Sequence, residues 1–298
     1  MRINYDNEDL IIRYIETTGK CDNKCPICTS RIRNFDMPYD EFCKIVDANM
    51  DILKGQRVWL DFSGEPLMDA TFFDKVRYMT KNGVITQIST NGNLLTDKNC
   101  YSLATSGIDY IVVSVLSLDP DVFKKLRGKD NLDDILSNID KLKSYIDTYS
   151  PNVSLQAVAT DIDGLDRNAF INHFHRKGIH AAIHKFTTRS NHITDIYETH
   201  HCSLPKRSIC EGLLKNIVIM CNGEVTMCCS DFYGENSLGN IKDYDYSIRK
   251  LLKNGNYEKF IDNQRNNNYI GACKMCNTWM YHQKDSVEEY VELFTLEY

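Results

Sequence analysis

No stretch of this sequence stays apolar for anything near the ~20 residues that a membrane-spanning helix needs. The first residues, Met1-Arg2-Ile3-Asn4-Tyr5-Asp6, lack the apolar core of a secretory signal. Positive charge is in deficit: 35 Lys and Arg stand against 41 Asp and Glu, a formal net charge of −6. That balance argues against a general binder of nucleic acid or of an anionic membrane. Low-complexity segments and long internal repeats are also missing. The expectation from these absences is a cytoplasmic protein with neither a nucleic-acid nor a membrane partner.

What is present is an ordinary globular balance, 42% hydrophobic and 26% charged over 298 residues. This length suffices for one large domain, or for a domain with an appendage. Twelve cysteines stand out. A reducing compartment disfavours disulfides, so metal or redox chemistry is the better expectation for them.

Three of these cysteines define the centre of the chain. Cys21-Asp22-Asn23-Lys24-Cys25-Pro26-Ile27-Cys28 has C-x3-C-x2-C spacing and directly follows the apolar run Leu10–Ile15. A strand ending in such a loop presents three thiolates on one short arc. Soft thiolates select zinc, copper(I) or iron–sulfur clusters. Three are one too few for a closed four-thiolate site, and a [4Fe–4S] cluster held by three cysteines keeps one iron open. Three unrelated buried thiols, or part of a zinc site, are the alternatives.

Hydrophobic periodicity then predicts a helix over Tyr39–Leu53 and a strand over Arg57–Phe62. Helix Phe72–Met79, strand Val84–Ser89, helix Thr96–Thr105 and strand Tyr110–Val115 follow. Helices Pro120–Leu126 and Leu132–Tyr149, strand Val153–Ala159, helix Leu165–Lys177 and strand Ile179–Phe186 complete the series. Six strands alternating with helices call for a parallel sheet covered by helices, an α/β fold and a partial barrel rather than a full eight-fold one. The alternation stops after Phe186. A polar connector, Thr187–Pro205, carries His192, His200 and His201, and a domain boundary is expected near residue 190 (1–190 and 191–298). Beyond it, Asn216–Met220 and Glu224–Cys228 flank Cys221-Asn222-Gly223, a hairpin signal. Ser247–Gln264 reads as helix with a break near Asn254-Gly255. This second unit has little apolar sequence for a core, which makes it a candidate for a metal staple.

Several strand ends carry chemistry. Ser63-Gly64-Glu65-Pro66, after the second strand, combines backbone polar groups with a carboxylate and suits a ligand ammonium. Ser89-Thr90-Asn91-Gly92 closes the third strand either as a ribose contact or as a plain capped turn. Ser114 lies on the fourth strand. Arg127 either pairs with a carboxylate through its planar fork or is a solvated helix-end arginine. His184, Lys185 and Arg189, at or beyond the end of the sixth strand, are candidate substrate or proton-transfer groups. Cys229, Cys221 and Cys202 are each a core residue or a hydrogen-atom donor, while Cys43 and Cys100 read as helix core.

In register, these motifs resemble the radical S-adenosylmethionine (SAM) superfamily. Cys21, Cys25 and Cys28 match its cluster motif, with Ile27 in the apolar position beside the adenine. Ser63-Gly64-Glu65-Pro66 matches its Gly-Gly-Glu-Pro motif, with serine at the first glycine. The resemblance implies a (β/α)6 partial TIM barrel and reductive cleavage of SAM to methionine and a 5′-deoxyadenosyl radical. It also implies a flavodoxin or ferredoxin reductant. The contacts to SAM it implies come from Ile27, Ser63, Gly64, Glu65, Pro66, Ser89, Asn91, Ser114 and Arg127.

The C-terminal half resembles the SPASM/twitch extension of that superfamily, a small α+β iron–sulfur unit. Cys210, Gly223 and Cys228 match its opening, and Cys273-x2-Cys276 follows with no later cysteine. One auxiliary [4Fe–4S] cluster on Cys210, Cys228, Cys273 and Cys276 is the most this pattern holds, which makes it the shortened, twitch form. A structural four-cysteine zinc site is the alternative. The spacing is similar to that of the butirosin-type radical SAM dehydrogenases, which oxidise an aminocyclitol alcohol. A small-molecule substrate, a sugar or cyclitol, is therefore expected. Epimerisation and peptide modification are the rivals, with a non-catalytic zinc or iron–sulfur module that binds a partner protein as a rival from another class. With ten or so residues before the first strand, no peptide-recognition domain is expected ahead of it, which disfavours peptide modification.

Overall fold

The computed structural model describes residues 10–28, 34–162, 164–185, 207, 209, 210, 216–274 and 276. Six βα units fill its first part. Strands β1 (Ile11–Ile15), β2 (Arg57–Trp59), β3 (Ile85–Thr90), β4 (Tyr110–Leu116), β5 (Ser154–Asp161) and β6 (His180–Lys185) all pair in parallel, each with its neighbour in the chain. The crossovers are helices α1 (Tyr39–Ala48), α2 (Met50–Leu53), α3 (Phe72–Lys81), α4 (Asp97–Thr105), α5 (Pro120–Arg127), α6 (Leu132–Tyr149) and α7 (Arg167–His175). This is the expected parallel sheet of a partial barrel.

Local sequence accounts for most boundaries. Helix α5 starts at Asp119, whose carboxylate accepts from the Val122 amide at 2.9 Å, has Pro120 in its first turn, and stops at left-handed Gly128. Helix α6 buries Leu132, Ile135, Ile139, Leu142 and Ile146, the i, i+3, i+4 stripe that turns one face to the sheet. On the strands, one set of alternate residues, such as Ile88, Ile111 and Val113, is buried under the helices. The other set, including Trp59, Gln87, Ser89 and Ser114, lines the concave face. Below them Arg57 lies over the ring of Tyr110 at 3.6 Å.

Two expectations change. The helix predicted over Tyr39–Leu53 breaks at Asn49, which is fully buried. Its side chain donates to the carbonyls of Ile45 and Tyr246, at 2.7 and 2.8 Å, and accepts from the Ile248 amide at 2.8 Å. Tertiary hydrogen bonds to a remote segment thus outweigh the local periodicity. Cys43, expected as core, is only partly buried, whereas Cys100 is fully buried.

The C-terminal part continues the same sheet. Strand β7 (Asn216–Ile219) pairs in parallel with β1, and β8 (Glu224–Thr226) and β9 (Gly239–Asn240) add antiparallel strands. Among the described residues the order is β6-β5-β4-β3-β2-β1-β7-β8-β9. The Asn-Gly hairpin is present, with Gly223 at φ 91. Ile217, Ile219, Cys221, Val225 and Met227 join the barrel residues in one continuous hydrophobic cluster. Helices α8 (Ile248–Leu252) and α9 (Asn256–Arg265) cover this end, separated at left-handed Gly255.

Candidate active site

The cysteine loop leaves β1 and is fastened from two sides. The Asn91 side chain donates to Asp22 Oδ1 at 2.6 Å, and Asn93 Nδ2 donates to Asp22 Oδ2 at 2.7 Å and to Asn23 Oδ1 at 2.9 Å. Lys129 Nζ reaches the Asp22 carbonyl at 2.9 Å. Gly128 lies against Pro26, where a Cβ would come within 3.2 Å of the proline ring. Ile27 packs in a small apolar cluster with Leu116, Leu126 and Ile162. Cys21 and Cys25 are half-buried and Cys28 is exposed. Desolvation raises the Cys21 thiol to about 11 and pushes Cys25 upward, while the Arg127 guanidinium pulls Cys25 the other way.

The Ser63-Gly64-Glu65-Pro66 turn sits beside this loop. The Glu65 amide donates to the Lys20 carbonyl at 2.7 Å. Gly64 is required at its position, because a Cβ there would collide with the carbonyl oxygens of Thr18 and Lys20. Glu65 is buried. Its carboxylate accepts from Thr90 Oγ1 and the Asn91 amide, each at 2.7 Å, and from the Leu67 amide at 3.3 Å. Desolvation lifts it from 4.5 to about 7, with those hydrogen bonds opposing the rise. Asn91 therefore binds Glu65 through its backbone and the cysteine loop through its side chain.

Arg127 is buried, so the solvated alternative for it is excluded. It donates to the Ser114 carbonyl, and its Nε has no acceptor among the described residues. Desolvation lowers its pKa, and the nearby Cys25 and Glu65 offset this. The hydroxyls of Ser89 and Ser114 meet at 3.2 Å on the concave face.

His184, exposed, and Lys185 end β6, the edge strand farthest from β1 in the parallel part of the sheet. Arg189 lies outside the described residues, as do Cys202 and the connector histidines. Cys221 is buried in the core and Cys229 is half-buried next to Cys228.

Cys210 and Cys273 are buried, and Cys228 and Cys276 are half-buried. Hydrogen bonding with Cys229, then desolvation and the nearby thiols of Cys229 and Cys276, push Cys228 strongly upward. Desolvation, with Cys276 and Cys210 close by, raises Cys273 to about 12. The Ser230 amide points at Cys228 Sγ at 3.3 Å, and Asn236 Nδ2 at Cys273 Sγ at 3.6 Å.

Among the described residues, no three Cys, His, Asp or Glu side chains converge on the position of a single metal ion. A cubane cluster attaches each cysteine to a different iron, so its ligands stand further apart. N–H donors aimed at sulfur, and Arg127 beside Cys25, are the surroundings that cluster thiolates take. Both cysteine sets fit iron–sulfur clusters in this respect.

Sequence reasoning passed over three residues. Glu16, fully buried, accepts from the Ser63 amide and hydroxyl and from the Cys221 amide. Asp61 accepts from the Ser89 amide at 2.7 Å. Asp22 anchors the cysteine loop. Only Asp22 had a local signal, its place between two cysteines of the C-x3-C-x2-C loop.

Residues 15–159 match the radical SAM superfamily, and residues 210–277 match SPASM, an iron–sulfur cluster-binding domain. The chain is 32% identical over 158 residues to the tungsten-containing aldehyde ferredoxin oxidoreductase cofactor-modifying protein of Pyrococcus furiosus; that stretch is 49% of this chain and 43% of the relative. The matched region thus spans less than half the length of this curated relative. In fold, the chain is similar to BtrN solved with AdoMet and 2-DOIA (TM-score 0.58, 17% identity, 90% of this chain and 93% of that one). It is also similar to SuiB of Streptococcus suis bound to S-adenosylmethionine (TM-score 0.65, 16% identity, 93% of this chain and 75% of that one). SuiB is known as well with its precursor peptide SuiA. No helix among the described residues is long and apolar enough to cross a membrane. With a C-x3-C-x2-C loop joined through Asn91 to the Glu65 turn, and a second cysteine set in the region that extends the sheet, residues 15–159 form a radical SAM domain and residues 210–277 a SPASM domain.

Proposed function

We propose that this radical SAM enzyme is an oxidoreductase that converts a carbinol of a sugar or cyclitol to a ketone. Cys21, Cys25 and Cys28 hold the SAM-binding [4Fe–4S] cluster. Cys210, Cys228, Cys273 and Cys276 hold one auxiliary [4Fe–4S] cluster, in a twitch-type domain beginning near residue 191. When bound, the first cluster supplies reductive cleavage of SAM to methionine and a hydrogen-abstracting 5′-deoxyadenosyl radical, and the second supplies an electron acceptor.

The protein's own residues bind and orient. Glu65 takes the SAM ammonium, and the backbone of Ser63, Gly64 and Pro66 shapes the turn around it. Ser89, Asn91 and Ser114 serve the ribose, Ile27 the adenine and Arg127 the carboxylate. His184, Lys185, Arg189 and Cys229 are the candidate substrate or proton-transfer groups. A flavodoxin or ferredoxin delivers the electron in the cytoplasm.

The observation that carries this reading is Asn91, which ties the Glu65 carboxylate and the cysteine loop to one side chain and its amide. The test is anaerobic turnover with reductant and a substrate deuterated at the carbinol carbon. Deuterium should appear in 5′-deoxyadenosine together with a ketone product. A product with inverted stereochemistry and no carbonyl would sink the dehydrogenase reading. Peptide modification is the second reading, favoured by the likeness in fold to SuiB.

A further inference from the structure

We propose that Asn236 is a positioning residue for the auxiliary cluster: its side-chain amide, fixed on the Cys273 sulfur, stabilises the reduced cluster and so raises its reduction potential. The proposal rests on the reading that Cys273 is a cluster ligand, and it names a residue that the cysteine spacing leaves unmarked.

Asn236 is buried, and its Nδ2 lies 3.6 Å from Cys273 Sγ, 37 residues further along the chain. A thiolate only accepts, so the nitrogen and not the oxygen of the amide is the end that faces it. The residue is held in place from two sides. Its backbone amide donates to Asp231 Oδ2 at 2.9 Å. Asp231, also buried, accepts from the Glu235 amide at 2.9 Å and from Thr226 Oγ1 at 3.0 Å, and its own amide donates to the Cys228 carbonyl at 3.2 Å. One carboxylate thus fixes Asn236 to the end of β8 and to the turn that carries Cys228. Gly271 closes the other side. A Cβ there would fall 2.5 Å from Asn236 Oδ1, and Gly271 takes φ 49, in the left-handed region. The Gly271–Cys273 turn and the Asn236 side chain are shaped to each other.

The amide oxygen points to the same role for the nitrogen. Asn236 Oδ1 is buried and has no donor among the described residues. An unsatisfied buried acceptor lowers stability, and an apolar side chain of similar shape would fill the space without that loss. What an apolar side chain lacks is the N–H on sulfur. Reduction adds negative charge to a cluster and its thiolates, and a buried N–H directed at one of them favours the reduced form. Nearby charges leave this contribution standing. Asp231 and Arg207 act on Cys273 with opposite signs, and Arg207 Nη1 donates to the Cys273 carbonyl at 2.8 Å. The Ser230 amide on Cys228 is a backbone donor, which any residue but proline supplies. The donor from Asn236 belongs to a side chain, so a substitution removes it.

The test uses the full chain with Cys21→Ala, Cys25→Ala and Cys28→Ala, anaerobically reconstituted, so that the auxiliary cluster gives the iron–sulfur signal by itself. Its midpoint potential is read by a redox titration followed by electron paramagnetic resonance (EPR). Asn236→Leu keeps the branched shape and removes the donor. It should hold its iron and take up an electron about ten-fold less readily, a fall of about 59 mV for a one-electron couple. Asn236→Asp, which sets a carboxylate against the sulfur, should fall further. An unchanged or raised potential in the iron-loaded Asn236→Leu protein overturns the proposal, since the residue would then only fill space. Should neither variant hold iron, the protein with Asn236 intact decides. With 15N in its asparagine side chains, pulsed EPR of the reduced auxiliary cluster should show a 15N coupling, and its absence overturns the proposal. Failure of the underlying reading shows separately, as protein with Asn236 intact that keeps its full auxiliary iron after Cys273→Ala.

Discussion

The carboxylate of Glu16 accepts a hydrogen bond from the amide of Cys221, 2.9 Å away and 205 residues further along the chain. Its other oxygen takes the Ser63 amide at 2.9 Å and the Ser63 hydroxyl. One buried carboxylate thus holds both the turn carrying Glu65 and the hairpin leading to Cys228. It also gives the serine that replaces the family's first glycine a function.

Glu16→Gln should therefore destabilise the protein. An amide nitrogen would face an N–H donor, and a buried unsatisfied group costs about 1–3 kcal/mol. Ser63→Gly removes only a hydroxyl and should cost about 1 kcal/mol. Thermal melts of both variants check the order. Equal melting temperatures for wild type and Glu16→Gln would mean that the bridge carries no stability.

Replacing Cys21, Cys25 and Cys28 together by alanine should remove one cluster's iron and abolish SAM cleavage, with the auxiliary iron retained. Iron analysis and 5′-deoxyadenosine release read the two effects. Full iron content in the triple variant would refute the ligand assignment.

Glu65 gives a pH dependence with a definite sign. Its folded pKa of about 7 lies above the ordinary 4.5. Between those values the SAM-free folded protein holds a proton that the unfolded chain releases, so the stability due to this group falls as pH rises through that window. A SAM ammonium favours the charged carboxylate, so binding expels the proton. SAM affinity should increase from about pH 6 to about pH 8, and Glu65→Gln should flatten the profile. The same variant should weaken binding at the higher pH by about ten- to a hundred-fold, which calorimetric titration would measure.

Cys273→Ala should remove the auxiliary iron and lower the stability of the C-terminal hairpin and helices, because the ligands tie remote segments together. Under the dehydrogenase reading it also stops turnover, whereas Cys229→Ala and Cys221→Ala keep it. If either of the latter still cleaves SAM but accumulates a quenched product, a cysteine hydrogen donor is in use and the reaction is an epimerisation.

Lys75 is fully buried, its Nζ 2.6 Å from Asp69 and 2.5 Å from the Met37 carbonyl. Asp69→Ala would strand that ammonium and should cost about 3–5 kcal/mol, visible in a denaturant titration.

Sequence alone determined the order of strands and helices through Lys185, since each follows from periodicity and caps within a few residues of itself. The cysteine spacing and the Gly64-Glu65 turn were equally legible, being local in the chain. Tertiary structure decided what lies beside them. The parallel neighbour of β1 on its free side is β7, some two hundred residues later, so the C-terminal hairpin extends the barrel's own sheet. Arg127 reads on paper either as a carboxylate partner or as a solvated helix end, and only the cysteine loop folding over Gly128 shows it buried beside Cys25. Glu16 and Asp61 carry no motif, because apart from the Ser63 hydroxyl their hydrogen-bond partners are backbone amides, and an amide leaves no mark on the sequence. Only the folding of remote turns onto the end of β1 made those carboxylates part of the site.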